Sequence, residues 1–463
     1  MKYDLLITCI DIPKTKENEI DTTRQRGIDL LYKIKDLNLQ LPSILLSDHF
    51  SSDLVSLVQK FHRCAFVEVR EESLINDILY ECRKLLPPQL VSSRREYRPK
   101  SGNLHVYFRS GMPCQYRMDG AFNHPLTPLS FQSNRIPELE ILSRTIGKLG
   151  NNDWEPIYRI IGVNLLRELF EQNPKFDSTF STFREVSGGN ENIKIHFEVD
   201  ESVYAIALES LVDQNENYFR LQSPIYRTVP FSCIKPPLFK DEETREQKIN
   251  CLIIEADAEG FVAGMERQNG EPLELEKLHN IKQEREYLHR FLKEGRKTFN
   301  IDIVNSLVIP KVGSNCIEVL NNVIDNGPWH LVHFAGHSHY DYSNDKAFVF
   351  FPGRTTPFPL EAEDFAQMLR TSDTRFIYLS SCRSSESRFV FELAKQGIPA
   401  ILGFRWDIED ELALDHAKFF YKKLFREGRW LEYAFLKTIN YVRPQNTYSR
   451  IWAGSMLVMQ ATT

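Results

Sequence analysis

From residue 249 onward, apolar runs of strand length alternate with amphipathic helical stretches. That alternation restricts the chain to a parallel sheet covered by helices. The order reads as strand 249–255, helix 276–294, strand 302–309, helix 314–325 and strand 329–335. It continues as strand 347–352, helix 359–370, strand 374–380, helix 385–396, strand 399–404 and helix 410–426. Crossovers between parallel strands are right-handed, which places helices on both faces. The expected fold class is α/β, with a sheet of mostly parallel strands and residues 249–463 as one domain. Two of its strands run into reactive side chains. His333-Phe334-Ala335-Gly336-His337 carries one strand to His337, and Leu379-Ser380-Ser381-Cys382 carries another to Cys382.

Reactions in open α/β sheets gather at the carboxyl ends of the strands, where both groups fall. They are 45 residues apart, enough for one intervening crossover, so their strands are candidates for neighbours. A thiolate attacks amide carbonyls readily, provided that its pKa is lowered or a base is supplied. Arg383 and the following helix N-terminus, capped by Ser384 or Ser385, favour negative charge at Cys382. His337 is the candidate base and later the acid to the leaving amine. The backbone N–H groups of Ser338 and Cys382 are candidate oxyanion donors. Asp407, Glu409 and Asp410 are candidate linings of a pocket for a basic side chain, against the simpler reading of solvated loop acids. The four histidines His330, His333, His337 and His339 raise a metal reading, but no carboxylate or cysteine is locally spaced to complete a site. No metal and no cofactor are expected.

Composition narrows the rest. The formal net charge of −6 is spread without long single-sign runs, so no nucleic-acid surface is expected. The eight cysteines (Cys9, Cys64, Cys82, Cys114, Cys233, Cys251, Cys316, Cys382) form no CxxC pair. All but Cys382 read as free, buried thiols of a reducing compartment. No run approaches 18 apolar residues, and acids interrupt the N-terminus too early for a signal peptide. The expected location is cytoplasmic, with no membrane contact.

Residues 1–90 also alternate: strands at 5–10, 43–46 and 65–69, and helices at 27–37, 52–61 and 74–86. This pattern resembles the second half of a bacterial receiver domain. Cys9 stands where such a domain carries its phosphorylated aspartate, with Asp11 as a fallback, and Ser47 stands at the switch hydroxyl. The resemblance implies a degenerate, truncated receiver that serves as a docking platform for a protein partner. Proline and basic residues at 87–103 read as a linker, and 235–248 as a second. Between them, residues 104–235 suggest strands near 105, at 193–199 and at 204–211, around a helix at 158–170. Gly188-Gly189-Asn190 is a turn; no Lys-Ser/Thr follows to make it a phosphate loop.

The segments His333–His337 and Leu379–Cys382 resemble the two signature motifs of CHAT-domain proteins, caspase-like cysteine proteases of the clan of caspases, separase and gingipains. The similarity continues through Trp406-Asp407-Ile408-Glu409-Asp410, the Phe419-Phe420-Tyr421 helix, residues 451–458 and the Ala207–Asp213 segment around Glu209, and covers roughly residues 150–463. It implies His337 as general base, Cys382 as nucleophile and His333 as a sheet support. Two departures stand out. Ser338 replaces a common glycine, and Ser380 stands where metacaspases place an acid that selects basic residues. The resemblance further implies a caspase-like endopeptidase that cleaves a partner protein in a bacterial stress, antiphage or cell-death pathway and is switched on by a partner. It implies that residues 104–235 are the N-terminal half of the region, a silent caspase-like lobe. The competing expectation is a signalling scaffold with a vestigial dyad.

Overall fold

The computed structural model describes residues 6–9, 43–47 and 64–68 and, apart from 110–111, 150–152, 234, 241–245, 267–270, 310–315, 342, 385–386, 429 and 446–448, residues 101–462. The chain forms two compact units, Met1–Arg98 and Pro99–Thr463. In the first, β1 (Leu6–Cys9), β2 (Ser43–Ser47) and β3 (Cys64–Glu68) make a parallel sheet in the order β1-β2-β3. All three match strands read from the sequence. The helices expected between them lie outside the described residues.

The second unit begins with β4 (Gly102–Phe108), β5 (Gln115–Asp119) and β6 (His124–Pro128), then α1 (Ile136–Ile146), α2 (Trp154–Leu166) and α3 (Pro174–Val186). Strands β7 (Ile193–Val199), β8 (Ile225–Thr228) and β9 (Ser232–Cys233) follow. Next come β10 (Ile249–Ala256), a hairpin of β11 (Gly260–Glu266) and β12 (Pro272–Leu275), α4 (Ile281–Glu294), β13 (Ile301–Val308) and α5 (Cys316–Asp325). Then come β14 (Leu331–Asp341), β15 (Lys346–Phe351), β16 (Phe358–Glu361), α6 (Ala362–Thr371), β17 (Phe376–Ser380) and α7 (Ser387–Lys395). The unit closes with β18 (Ala400–Phe404), α8 (Asp410–Tyr421), α9 (Leu431–Gln445), α10 (Ile451–Gly454), β19 (Ser455–Met459) and β20 (Ala461–Thr462).

One 13-stranded sheet runs through this unit in the order β13-β10-β14-β17-β18-β19-β8-β7-β4-β5-β6, with β15 and β16 branching from β14. Pairing is parallel except at β18–β19, β4–β5–β6 and the β14–β15–β16 branch. The fold is therefore α/β with a mostly parallel sheet, as the alternation predicts. Strands β10, β17 and β18 are buried along their whole length, as parallel strands covered on both faces must be. Adjacent β14 residues show the two layers: His333 meets Tyr421 and Glu284 on one face, and Phe334 packs on Phe365 on the other. The edge strand β6 carries Pro125 and Pro128, residues that an interior strand excludes.

Two local readings change. Residues 204–211 are no strand: they form turns and a short 3-10 segment at Leu208–Ser210. The carbonyls of Tyr204 and Ile206 turn instead to the Arg227 guanidinium, whose hydrogen bonds they accept in the interior. The 256–275 loop holds the β11–β12 hairpin, pinned on β15 by Val262, Leu273, Leu275, Phe348 and Phe350.

Candidate active site

Strands β14 and β17 are direct parallel neighbours, with Leu331 opposite Phe376 and Ala335 opposite Ser380. Two residues farther along each lie His337 and Cys382. Both line one narrow cleft with Leu278, Glu284, Ile408 and Asp410, and the cleft's free space is about 30 Å³. Gly336 admits β14 to this position. A Cβ there would sit 2.9 Å from the Ala256 carbonyl oxygen on β10, where no side chain fits. Beyond Gly336, β14 leaves the main sheet and pairs antiparallel with β15, His337 opposite Phe350. His337 is therefore held within an extended strand and not on a loose loop.

His337 Nε2 lies 2.7 Å from the carbonyl oxygen of Glu276, just past β12. A carbonyl only accepts, so Nε2 carries the hydrogen and Nδ1 keeps its lone pair. Burial lowers the His337 pKa, against the Glu276 carbonyl and the carboxylates of Asp257, Asp410 and Glu276, which raise it. The ring is thus neutral at neutral pH, the state a base needs.

The Cys382 sulfur faces Ile408. It accepts the Ile408 N–H at 3.4 Å and its thiol reaches the Ile408 carbonyl at 3.8 Å. Burial pushes the thiol up to about 12, and Asp407 and Glu409 add to the rise; the Ile408 amide and Arg383 pull the other way. The expected acidification by Arg383 and a helix N-terminus is thus outweighed in this state. That helix, α7, is described over Ser387–Lys395. The Ser384 hydroxyl donates to Ser381 O at 2.8 Å and accepts the Phe404 N–H at 3.1 Å; Ser385, the other expected cap, lies outside the described residues. No hydrogen bond joins the His337 and Cys382 side chains among the described residues.

Ser338 is buried, and its hydroxyl reaches the Cys382 carbonyl oxygen and the Ser381 hydroxyl, the latter at 3.0 Å. It ties the histidine strand to the cysteine loop. Ser380 is buried in the cleft wall, and its hydroxyl has no hydrogen-bond partner among the described residues. The three expected pocket acids are each engaged. Asp407 pairs in bidentate fashion with Arg383 at 2.9 and 3.0 Å, Glu409 accepts from Ser449 at 2.9 Å, and Asp410 accepts the Asn280 amide at 2.6 Å. Of the three, Asp410 alone lines the cleft. His333 is fully buried below, between Glu284 at 3.0 Å and the Tyr421 hydroxyl at 3.2 Å, and serves as part of the support.

The sequence reading passes over Glu276, Glu284 and Ile408. The first and third act through the backbone, which leaves no mark in side-chain identity. Glu284 does leave one: it sits among Ile281, Leu288 and Leu292 on the buried stripe of α4, where an unpartnered acid has no place.

The CHAT domain family model matches residues 160–459. Among solved structures, the chain is similar to the Arg-specific cysteine proteinase gingipain R, at 12% identity and a TM-score of 0.35 over 57% of this chain and 62% of that one. It is similar to the complex of the RgpB pro- and mature domains of Porphyromonas gingivalis, at 11% identity and a TM-score of 0.39 over 71% and 77%. It is also similar to the separase–securin complex of Saccharomyces cerevisiae, at 11% identity and a TM-score of 0.33 over 72% and 23%. The chain thus spans under two thirds of the gingipain R chain and under a quarter of the chain matched in the separase complex. No curated protein matches.

Proposed function

This chain belongs to the CHAT-domain family, and on that premise we propose that it is a cysteine endopeptidase with Cys382 as nucleophile and His337 as base. The observation that carries the reading is the parallel pairing of β14 with β17, which supports one cleft lined by both groups. In the proposed reaction His337 Nδ1 takes the thiol proton, and the sulfur attacks the scissile carbonyl carbon to form a tetrahedral oxyanion. The backbone N–H groups of Ser338 and Cys382 are the proposed donors to that oxyanion. The C–N bond then breaks as His337 returns the proton to the leaving amine, and water hydrolyses the thioester. The Glu276 carbonyl serves this cycle by fixing the histidine tautomer.

The resting thiol, pushed up to about 12, fits an enzyme that waits for an activator. The proposed activator is a protein that docks on the N-terminal unit, and the proposed substrate is a partner protein. The free cysteines fit a reducing, cytoplasmic setting. The test compares the chain with Cys382→Ala and His337→Ala in a lysate of the source cells, reading new protein N-termini by mass spectrometry. Cleavage products present with the chain and absent with both variants are expected. Identical profiles for the chain and Cys382→Ala would leave the scaffold reading.

A further inference from the structure

The loop 405–408 is fixed at every residue, and its two ends face different parts of the unit. At the nucleophile end, Ile408 brackets the Cys382 sulfur with its amide and carbonyl, and Asp407 clamps Arg383 by two hydrogen bonds at 2.9 and 3.0 Å. Arg383 needs that clamp: its φ of +53° lies in the left-handed region, unfavourable for a side chain with a Cβ. At the far end, Arg405 donates to the Ala205 carbonyl at 2.6 Å and lies 3.6 Å from Glu209, while its own amide donates to Gly454 O at 2.8 Å. Trp406 between them packs against Gly454, where a Cβ would come within 2.9 Å of the indole.

Glu209 in turn belongs to a fully buried ion pair. Arg227, on β8, gives it two hydrogen bonds at 2.6 and 2.8 Å and gives two more to the Tyr204 and Ile206 carbonyls. Burial raises the Glu209 carboxyl, but Arg227 and Arg405 more than offset it and hold it down to about 2. A charge so buried is tolerated only with every partner in place. The pair therefore has one geometry, and Ala205, Glu209 and Arg405 share it.

We propose that Glu209 and Arg227 are positioning residues for the nucleophile: through Arg405 and the loop 405–408 they hold the Ile408 backbone against the Cys382 sulfur. Segment 204–228 thereby gains a role at the reactive centre without touching it. The inference rests on Cys382 being the reactive thiol, yet its readout needs no cleavage.

The experiment measures the alkylation rate of Cys382 by iodoacetamide across pH, with the modified peptide quantified by mass spectrometry. It uses the full chain, Glu209→Gln and Asp407→Asn. Lys194→Met serves as the control, since the partners of Lys194 are Glu432 and Tyr433 on α9. Loosening of the loop 405–408 is expected to relieve the burial that pushes the Cys382 thiol up by more than the loss of the Ile408 amide costs the thiolate, and so to speed alkylation in Glu209→Gln by about tenfold over Lys194→Met at matched loss of Tm, the factor that about 1.4 kcal/mol represents. Asp407 is exposed, so Asp407→Asn tests the last link even where Glu209→Gln fails to fold. Its rate–pH curve is expected to move to lower pH, because a negative charge leaves the thiol's side. Equal rates for Glu209→Gln and Lys194→Met, or an unmoved curve for Asp407→Asn, would overturn the proposal. Cleavage that survives Cys382→Ala would instead overturn the endopeptidase reading and leave the alkylation result standing.

Discussion

His337 hands its Nε2 hydrogen to the main-chain carbonyl of Glu276, 2.7 Å away and 61 residues earlier in the chain. The acceptor belongs to the backbone, so the orientation of the proposed base depends on where the β11–β12 hairpin ends and not on which side chain stands at 276.

The two residues should therefore respond oppositely to substitution. His337→Ala removes the base and is expected to lower cleavage by about 10²–10⁴-fold, the usual worth of a positioned proton acceptor. Glu276→Ala keeps the carbonyl and is expected to stay within about threefold, with the His337 pKa drifting slightly lower as a nearby carboxylate goes. Initial rates for both variants check this. A large loss in Glu276→Ala would mean that its side chain, not its backbone, serves the site.

Cys382 offers a second prediction. Its thiol sits up at about 12 because burial and Asp407 both disfavour the thiolate. A free cysteine titrates near about 8.5, so at pH 8 the resting chain holds far less thiolate. Alkylation of Cys382 by iodoacetamide should be slower than that of a free cysteine by about tenfold or more at pH 8, and should still be climbing above pH 10. A rate plateau near neutral pH would show a thiolate already formed at rest.

His333 and Glu284 separate support from chemistry. Both are buried, and their 3.0 Å contact sits beneath the cleft. Glu284→Ala leaves His333 without its carboxylate partner and is expected to cost about 3 kcal/mol in stability. Glu284→Gln keeps an acceptor and should cost nearer about 1 kcal/mol. Denaturant midpoints decide between these values. Equal losses for the two variants would mean that the hydrogen bond to His333 is not what Glu284 contributes.

These contacts also show which parts of the fold could be read beforehand. Strands β10, β14, β17 and β18 announce themselves because burial on both faces demands unbroken apolar runs, such as Cys251–Ile254 and Phe376–Leu379. Their helices announce themselves through periodicity, as α4 does with Ile281, Leu288 and Leu292. Residues 204–211 mislead for the same reason: their apolar side chains reflect burial, while the conformation is set by Arg227, a partner that no local window contains. Likewise, β19 joins the sheet antiparallel to β18 through pairing that alternation alone does not foresee. At the candidate site, the sequence singles out His337 and Cys382, which line one cleft. The backbone atoms around them, Glu276 O and the Ile408 amide, were not, since any residue type supplies them.

Acid should destabilise the chain in two stages, and the sign follows from which state takes up protons first. His416 is buried, and burial together with the charge of Arg220 holds it down to about 3, from an ordinary 6.5. As pH falls from about 6.5 toward about 3, the unfolded chain binds a proton that the folded chain refuses, so this contribution is full above that window and lost across it. His337 and His339, also lowered by burial, act with the same sign. Glu209 follows at lower pH. Its carboxyl is held at about 2 in the folded state against an ordinary 4.5, so its stabilisation is present above 4.5 and disappears as pH falls toward about 2. Tm should therefore decline steadily below about pH 6.5 and continue falling below 4.5. His416→Gln keeps a neutral polar group and is expected to flatten the first stage while leaving the second unchanged. Thermal unfolding of both proteins from pH 7 to pH 3 makes the comparison, and an equally steep first stage in the variant would place the acid sensitivity elsewhere than His416.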